Sequence, residues 1–179
     1  KAQKINVMSF SRLCEWFFRL YGGLAGQRLS DGGRAVLMQL AIDSAVDNIE
    51  IYKKSAQKGE LTELLLSMVS EMKMCAVSPE EMLSFAENTG DEQLIGKAKE
   101  ISLVLSLYDA LVSQSYIDPL DELTKMDEML KENDFFKDSV IVIDSFSGFT
   151  MQEMKIITHM LKKADEVYIT FCCDNLSDE

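Results

Sequence analysis

The sequence predicts an α/β protein in which both ends of the chain form a parallel sheet, interrupted by a large helical insertion. Val140–Ile143 is an unbroken apolar, mostly β-branched run that stops at Asp144, which is typical of a strand buried on both faces. Residues 140–172 then follow the order strand, helix, strand, which is a βαβ unit with parallel strands. Between about residues 34 and 132, apolar positions recur almost only at helical spacing.

The amino end predicts a short strand followed by a helix. Residues 5–9 alternate weakly between apolar and polar side chains, which favours a strand. Ser9 or Ser11 can cap the helix that follows, and the Gly22-Gly23 pair ends it.

The middle of the chain predicts a series of amphipathic helices. The first apolar stripe begins at Leu37 and ends near Gly59. Ser78-Pro79-Glu80-Glu81 combines a capping serine, a proline at the first helical position and a glutamate at the third, so it marks a helix start. Asp118-Pro119 opens another helix.

The carboxyl end of the chain predicts one helix followed by one strand. Thr150-Met151-Gln152-Glu153 is a capping box that starts a helix continuing to Lys163. Residues 167–172 predict the second strand of the βαβ unit. The predicted organisation is therefore an incomplete α/β core, residues 1–22 with 136–179, and a helical insertion subdomain, residues 23–135.

Charge is distributed unevenly in this 179-residue chain of net charge −12. Residues 1–35 carry six basic and two acidic side chains, a net charge of +4, and the remainder carries −16. A strongly acidic body repels phosphate backbones, so a contact with nucleic acid belongs to the amino-terminal segment. The alternative is that the acidic side chains only keep helical faces solvated.

Membrane and metal-site classes are disfavoured. No apolar run approaches the roughly 20 residues of a membrane span. The amino end lacks the features of a signal peptide and begins at a strand-like segment without Met, which suggests an excised fragment. The four cysteines form no C-x-x-C pair and there is one histidine, so we expect no metal site, reduced thiols and a cytoplasmic location.

Asp144 is the first candidate site residue. The carboxyl end of a parallel strand is where open α/β sheets bind ligands, and where nucleotide-hydrolysing folds of the P-loop type place a magnesium-holding aspartate. However, the phosphate-cradling pattern G-x-x-x-x-G-K-[ST] is absent from the sequence, and Ser145 stands where a second carboxylate would orient water. Asp144 and Ser145 therefore indicate a degenerate nucleotide and magnesium site, or else Asp144 only caps backbone amides.

Phe10 and Arg12 are the second candidate pair. They lie at a predicted strand end and helix start, in the net-basic region. Helix amino-termini favour phosphate, an aromatic ring can stack on a base, and arginine can contact phosphate or a base edge. Phe10 and Arg12 are thus candidate DNA-binding residues. The alternative places Phe10 in the core and leaves Arg12 solvated. No other constellation predicts a catalytic residue.

The sequence resembles the AddB/RexB family, which supplies one of the two subunits of the bacterial ATP-dependent helicase–nuclease that processes double-strand breaks. The resemblance covers essentially the whole chain. The matching motifs, in chain order, are Val-Met-Ser-Phe-Ser-Arg-Leu, Gly-Gly, Leu-Ser-Asp-Gly-Gly-Arg, Val-Ser-Pro-Glu-Glu-Met and Val-Ile-Asp-Ser-Phe-Ser-Gly-Phe-Thr-Met-Gln-Glu. The last of these resembles the Walker B block of a superfamily 1 helicase in which serine replaces glutamate.

This resemblance implies a partial P-loop NTPase fold that resembles superfamily 1 helicases. It implies DNA and an AddA-type subunit as partners, with ATP, magnesium and an iron–sulfur cluster in the full complex but no cofactor on this portion. The full-length AddB-type subunit would be an ATP-dependent exonuclease component, and this portion a non-hydrolytic module that guides DNA and recognises a recombination hotspot. Phe10 and Arg12 match the family's strand-end Phe-x-Arg pattern.

Two other functions remain open at this point. The chain could be a fragment of an active superfamily 1 helicase, which carboxylates at both 144 and 145 would have favoured. It could also be a purely structural helical interaction module, for which changes at Phe10 and Arg12 would leave DNA binding unaltered.

Overall fold

A computed structural model describes residues 5–24 and 26–171, and the chain divides into two compact units. The terminal unit contains the described residues up to Gly23 and from Glu122 onward, and the helical unit is Leu24–Asp121. The helical unit therefore ends at Asp121, whereas the sequence predicted a helical insertion that ends at residue 135. The elements are α1 (Phe10–Tyr21), β1 (Gln27–Arg28), α2 (Asp31–Ala45), α3 (Gly59–Met74), α4 (Pro79–Thr89), α5 (Glu92–Ser115), β2 (Tyr116–Ile117), a 3-10 turn (Pro119–Asp121), α6 (Glu122–Leu130), β3 (Val140–Ile143), α7 (Met151–Lys163) and β4 (Glu166–Ile169).

The βαβ unit is confirmed. β3 and β4 pair in parallel, with Val140 opposite Glu166 and Ile143 opposite Ile169, and α7 connects them. β1 and β2 form a second parallel pair of two residues each, in the helical unit. The protein is mostly helical with small parallel sheets, which is consistent with the predicted α/β class. The P-loop type of fold stays a prediction.

The prediction that Val140–Ile143 is buried on both faces is wrong. Ile143 is buried, but the side chains of Val140 and Val142 are 63% and 65% exposed. Successive side chains of a strand point to opposite faces, and α7 packs on one of them. Among the described residues no element covers the outer face, to which Tyr168 of β4 also contributes an exposed ring.

The predicted strand at residues 5–9 is also absent, because these residues form no strand pairing with any described segment. Ile5 and Val7 are almost fully exposed. A strand is stable only when its backbone N–H and C=O groups bond to a neighbouring strand. The predicted strand over 167–172 is shorter than expected, since β4 ends at Ile169; Cys172 and Cys173 lie outside the described residues.

The helix starts at Ser9, Ser78 and Thr150 were predicted correctly, whereas Asp118-Pro119 begins a 3-10 turn and α6 starts at Glu122. The hydroxyl oxygen of Ser9 accepts a hydrogen bond from the backbone N–H of Arg12 at 3.3 Å. Ser78 with Glu81, and Thr150 with Glu153, each form a complete capping box. Each cap satisfies amide groups that would otherwise lack a partner at the helix end. Gly22 ends α1 with a positive φ of 71°.

The first helical stripe ends earlier than predicted, at Ala45 and not near Gly59. The following turns are held by the carboxylate of Glu100 on α5, which accepts the backbone N–H groups of Glu50, Ile51 and Tyr52 at 2.8, 2.9 and 3.0 Å. Burial opposes ionisation of Glu100, but these three bonds outweigh it and lower its pKa. A distant acidic side chain therefore replaces the bonds that a continued helix would have made.

The core of the helical unit is apolar and is formed mainly by α2, α3 and α5. Its fully buried side chains include Met38, Ile42, Leu105 and Tyr108. None of the described helices combines the length and apolar character needed to span a bilayer.

A charged network lies beside this core, and its centre is Lys73. The Nζ atom of Lys73 is 3.0 Å from Oδ2 of Asp118 and 2.9 Å from Asp121, while Arg34 Nε is 3.9 Å from Asp118. The Asp118 side chain is fully buried. Burial alone would lower the pKa of Lys73, but the two facing carboxylates raise it. The network ties α2 and α3 to the turn before residue 122.

Candidate functional site

Asp144 lies at the carboxyl end of β3, where the sequence placed it, and its carboxylate is engaged by hydroxyl groups. Oδ1 accepts the hydroxyl of Thr170, which follows β4, and the hydroxyl of Ser145 is 3.4 Å from Oδ2. The Thr170 backbone N–H bonds the carbonyl of Ile143 at 3.0 Å, so the two strand ends are held together. The Thr170 bond, with smaller contributions from Ser145, lowers the pKa of Asp144 and keeps it ionised.

The described residues near Asp144 do not fit a magnesium site by themselves. A protein-bound magnesium ion takes oxygen ligands in octahedral geometry, commonly one or two carboxylates together with substrate phosphates. In the described part of the chain no group of three or more acidic, histidine or cysteine side chains is placed to hold a metal. Ser145 provides a hydroxyl and has a positive φ of 66°, which turns the chain sharply away from the strand.

Phe10, the first residue of α1, lies against the loop that follows Asp144. Its side chain is 8% exposed, and its ring meets those of Phe146 and Phe149 edge-on, with centroids 5.5 and 6.3 Å apart. The ring of Phe149 in turn meets Phe171 edge-on at 6.4 Å. These four rings, Phe10, Phe146, Phe149 and Phe171, are called the phenylalanine cluster below. The two candidate segments predicted at opposite ends of the sequence thus meet in one place.

Accessible aromatic surface in the cluster belongs to residues that sequence reasoning did not select. Phe171 is 66% exposed, and Phe146 and Phe149 are partly exposed, whereas Phe10 has little free surface. The available signal was the pair of phenylalanines in the Ser-Phe-Ser-Gly-Phe loop that follows a strand end. Phe10 is the buried member of the cluster, which matches the alternative in which it is a core residue. Its role as a base-stacking residue stays a prediction.

Arg12 is exposed on the first turn of α1, two residues after Phe10. The first turn of α1 therefore presents an exposed guanidinium and a helix amino-terminus, and through Phe10 it packs on the loop that carries the aromatic surface. This combination suits a nucleic-acid single strand, whose bases stack on aromatic rings and whose phosphates attract cations. The carboxylate of Asp144, by contrast, repels phosphate.

Comparison with known protein families agrees with the motifs. The family model described as ADDB, N-terminal matches residues 1–179. The chain belongs to this family. The sequence resemblance to the AddB family is therefore confirmed.

Individual AddB-family relatives match across nearly the whole chain. A Thermoanaerobacter sp. (strain X514) protein is 31% identical over 178 residues, and one from Clostridium botulinum (strain Loch Maree / Type A3) is 29% identical over 174. A Clostridioides difficile (strain 630) protein is 26% identical over 177 residues. The matches cover 97–99% of this chain and 15–16% of each relative. All three relatives are named as the B subunit of an ATP-dependent helicase/deoxyribonuclease.

Proposed function

We propose that this AddB-family chain is a non-hydrolytic, DNA-contacting module of the B subunit of an ATP-dependent helicase/deoxyribonuclease. In this proposal it acts in the repair and recombination of double-strand breaks, beside an AddA-type subunit that translocates. It guides the DNA strand and takes part in recognising a recombination hotspot. ATP, magnesium and the iron–sulfur cluster would be bound elsewhere in the complex, which would be located in the cytoplasm.

The observation that carries the proposal is the contact between the start of α1 and the loop after β3. Phe10 packs on Phe146 and Phe149, so the first turn of α1, which also carries the exposed Arg12, lies beside the aromatic loop in the terminal unit. In this proposal a single-stranded segment stacks a base on Phe171 and also contacts Arg12 through a phosphate. The net charge of +4 in residues 1–35 favours this approach on an otherwise acidic chain.

The absence of hydrolysis is supported by the residues around Asp144. Ser145 offers a hydroxyl where a carboxylate would orient an attacking water, and the sequence contains no phosphate-loop pattern. Both Asp144 oxygens face hydroxyl donors. We expect the purified chain to hydrolyse no ATP, with or without single-stranded DNA. Hydrolysis stimulated by DNA would contradict this part of the proposal.

The DNA contact is tested in the full-length protein assembled with its partner subunit, by measuring affinity for hotspot-containing single strands over a range of salt. Arg12→Ala should weaken binding by about tenfold and reduce the slope of log affinity against log salt by about 0.7, as expected for one lost phosphate contact. Arg19→Ala, an equal charge change two turns later on the exposed side of α1, is the control. Equal effects of the two variants would indicate only a non-specific charge effect.

Base stacking is tested separately with two exposed phenylalanines. Phe171→Ala should cost about 1–3 kcal/mol of binding free energy. The matched control is Phe85→Ala in the helical unit, where the side chain is 73% exposed and far from any candidate residue in sequence. If Phe171→Ala binds like Phe85→Ala, the phenylalanine cluster is not the stacking surface.

A further inference from the structure

The outer face of α7 carries a stripe of side chains that the terminal unit does not use for its own packing. The exposed apolar members are Met151, Met154 and Leu161, and Thr158 lies between them. Lys155 and Lys162, also exposed, follow one side of the stripe, seven residues apart. Residues three, four and seven positions apart share a helix face, so these six side chains form one continuous surface, called the α7 stripe below.

The inner face of α7 already has its partners. Its buried residues are Gln152, Ile156, Ile157 and Met160, and Lys163 donates to the backbone carbonyls of Leu130 and Asn133. The acidic residue at the start of the helix, Glu153, accepts the backbone N–H of Thr150 in the capping box. Folding of the terminal unit therefore does not require the α7 stripe to be apolar, and a fully polar outer face would be the ordinary pattern for such a helix.

The stripe, like residues 1–35, is basic on a chain that is acidic as a whole. The stripe contains two lysines and no carboxylate, although the chain has 30 acidic and 18 basic side chains. Within residues 5–24 and 26–171, no ion pair involves Lys155 or Lys162. The occupant that complements this surface therefore presents apolar side chains flanked on one side by aspartate or glutamate.

The apolar half of the stripe favours a protein over a nucleic acid as that occupant. Two methionines and a leucine offer nothing to a phosphate backbone, whereas flexible methionine side chains are enriched at protein interfaces. The α7 stripe combines apolar and charged residues. The outer face of β3 and β4 has a different composition, since Val140, Val142 and Tyr168 are exposed together there. Permanent interfaces are the more apolar kind, and separable ones keep charged residues at the rim.

We infer that the α7 stripe docks the partner subunit of the helicase/deoxyribonuclease, through an acidic amphipathic segment of that partner. This inference rests on the proposed function, because a partner is expected from the relatives' name, which describes one subunit of a complex. α7 has 13 residues and is about 20 Å long, so the stripe alone is smaller than the roughly 800 Å² that each side of a standard interface buries. The stripe is thus one part of a larger contact.

The experiment measures the affinity of the full-length AddB-family protein for its immobilised partner subunit at low and high salt. Met154→Glu with Leu161→Glu removes the apolar row, and Lys155→Glu with Lys162→Glu reverses the charge. Each pair should weaken binding at least about tenfold at low salt, and the effect of the lysine pair should shrink at high salt. Lys53→Glu with Lys99→Glu, which reverses two exposed lysines of the helical unit, is the matched control.

The outcomes separate this inference from the proposed function. If the unaltered full-length protein does not bind a partner subunit, the proposed function fails. If it binds and both stripe variants bind equally well, the inference is overturned. It is also overturned if a cysteine placed at Leu161 is already protected from thiol reagents in the full-length protein alone, either by its own polypeptide or by self-association in sedimentation. Reduced DNA affinity of the lysine variant with unchanged partner affinity would assign the stripe to nucleic acid and likewise overturn it.

Discussion

Replacement of Lys73 by methionine should destabilise the helical unit strongly, although the residue lies on the border of the core. The ammonium group is 3.0 Å from a carboxylate oxygen of Asp118, whose side chain is fully buried, and 2.9 Å from the half-buried Asp121. Methionine keeps most of the aliphatic volume of lysine, so packing is retained and the lost interaction is mainly electrostatic. Asp118 is then left as a buried charge without its main partner.

The expected loss is about 3 kcal/mol of unfolding free energy. Removing one member of a buried ion pair typically costs about 3–5 kcal/mol, because the remaining charge stays desolvated. The lower end applies here because Asp118 retains two other contacts. Its Oδ1 atom accepts the backbone N–H of Leu120 at 3.0 Å, and Arg34 Nε lies 3.9 Å from Oδ2.

The loss is measured by urea unfolding followed by circular dichroism near neutral pH. The control is Lys99→Met on the exposed side of α5, which should change stability by less than about 0.5 kcal/mol. In the Lys73→Met background, Asp118→Asn should restore at least about 1 kcal/mol, because it removes the unpaired charge. A loss below about 1 kcal/mol for Lys73→Met, or no restoration by Asp118→Asn, would refute the reasoning.

The same ion network predicts that the helical unit loses stability at alkaline pH. The folded-state pKa of Lys73 is raised above its ordinary value of 10.5, so the folded state holds this proton more tightly than the unfolded state. The contribution to stability is therefore complete below pH 10.5 and is lost as pH rises through the higher folded-state pKa. Lys73→Met should show a smaller fall in stability than the unaltered chain over that alkaline range, measured by the same urea assay.

Three further predictions concern the backbone turns and the phenylalanine cluster. Ala76 follows α3 with a φ of 53°, so Ala76→Gly should raise stability by about 0.5–1 kcal/mol in urea unfolding, and a decrease would contradict this. Glu100→Gln should cost about 1 kcal/mol near neutral pH, a figure discounted for partial solvation; because the Glu100 pKa is lowered, the difference from the unaltered chain should disappear as pH falls through it. Phe10→Ala should lower the unfolding free energy by about 3 kcal/mol and Phe10→Leu by less than half of that, and equal losses would show that ring volume is not what matters.

Features coded by neighbouring residues were the ones that sequence predicted best. The capping boxes at Ser78 and Thr150 require only residues three positions apart, and both formed as expected. The parallel pairing of β3 and β4 also followed from a short local order of strand, helix and strand. In each case the groups that form the hydrogen bonds lie in the same helix turn, or in two strands that a single helix connects.

Features that depend on distant residues were missed. The turns that follow α2 bond to Glu100, about fifty positions later than Glu50, and nothing in the stripe of apolar residues signals that contact. The Lys73 network likewise joins residues 45 or more positions apart. Charged side chains in helical sequences usually face solvent, so sequence alone gave no reason to place Asp118 in the core.

The candidate site shows the same division between local and distant information. Asp144 could be placed at a strand end from its own neighbourhood, and Arg12 at a helix start from the capping serine. The sequence did not predict that the start of α1 meets the loop after β3, because that proximity depends on ring contacts between Phe10 and the loop. The exposure of Phe171 was likewise unpredictable from its apolar character, which favours burial.

The hydrogen bonds around Asp144 connect the ends of the two strands to the aromatic loop. Thr170 bonds one oxygen of Asp144 through its hydroxyl, and its backbone N–H bonds the carbonyl of Ile143, so the end of β4 is linked to the end of β3. The loop that follows supplies aromatic rings, and those rings fix the start of α1 through Phe10. Under the proposed function, the hydrogen bonds of Asp144 and Thr170 support the aromatic loop, and preorganised contacts of this kind favour the binding of a flexible single strand.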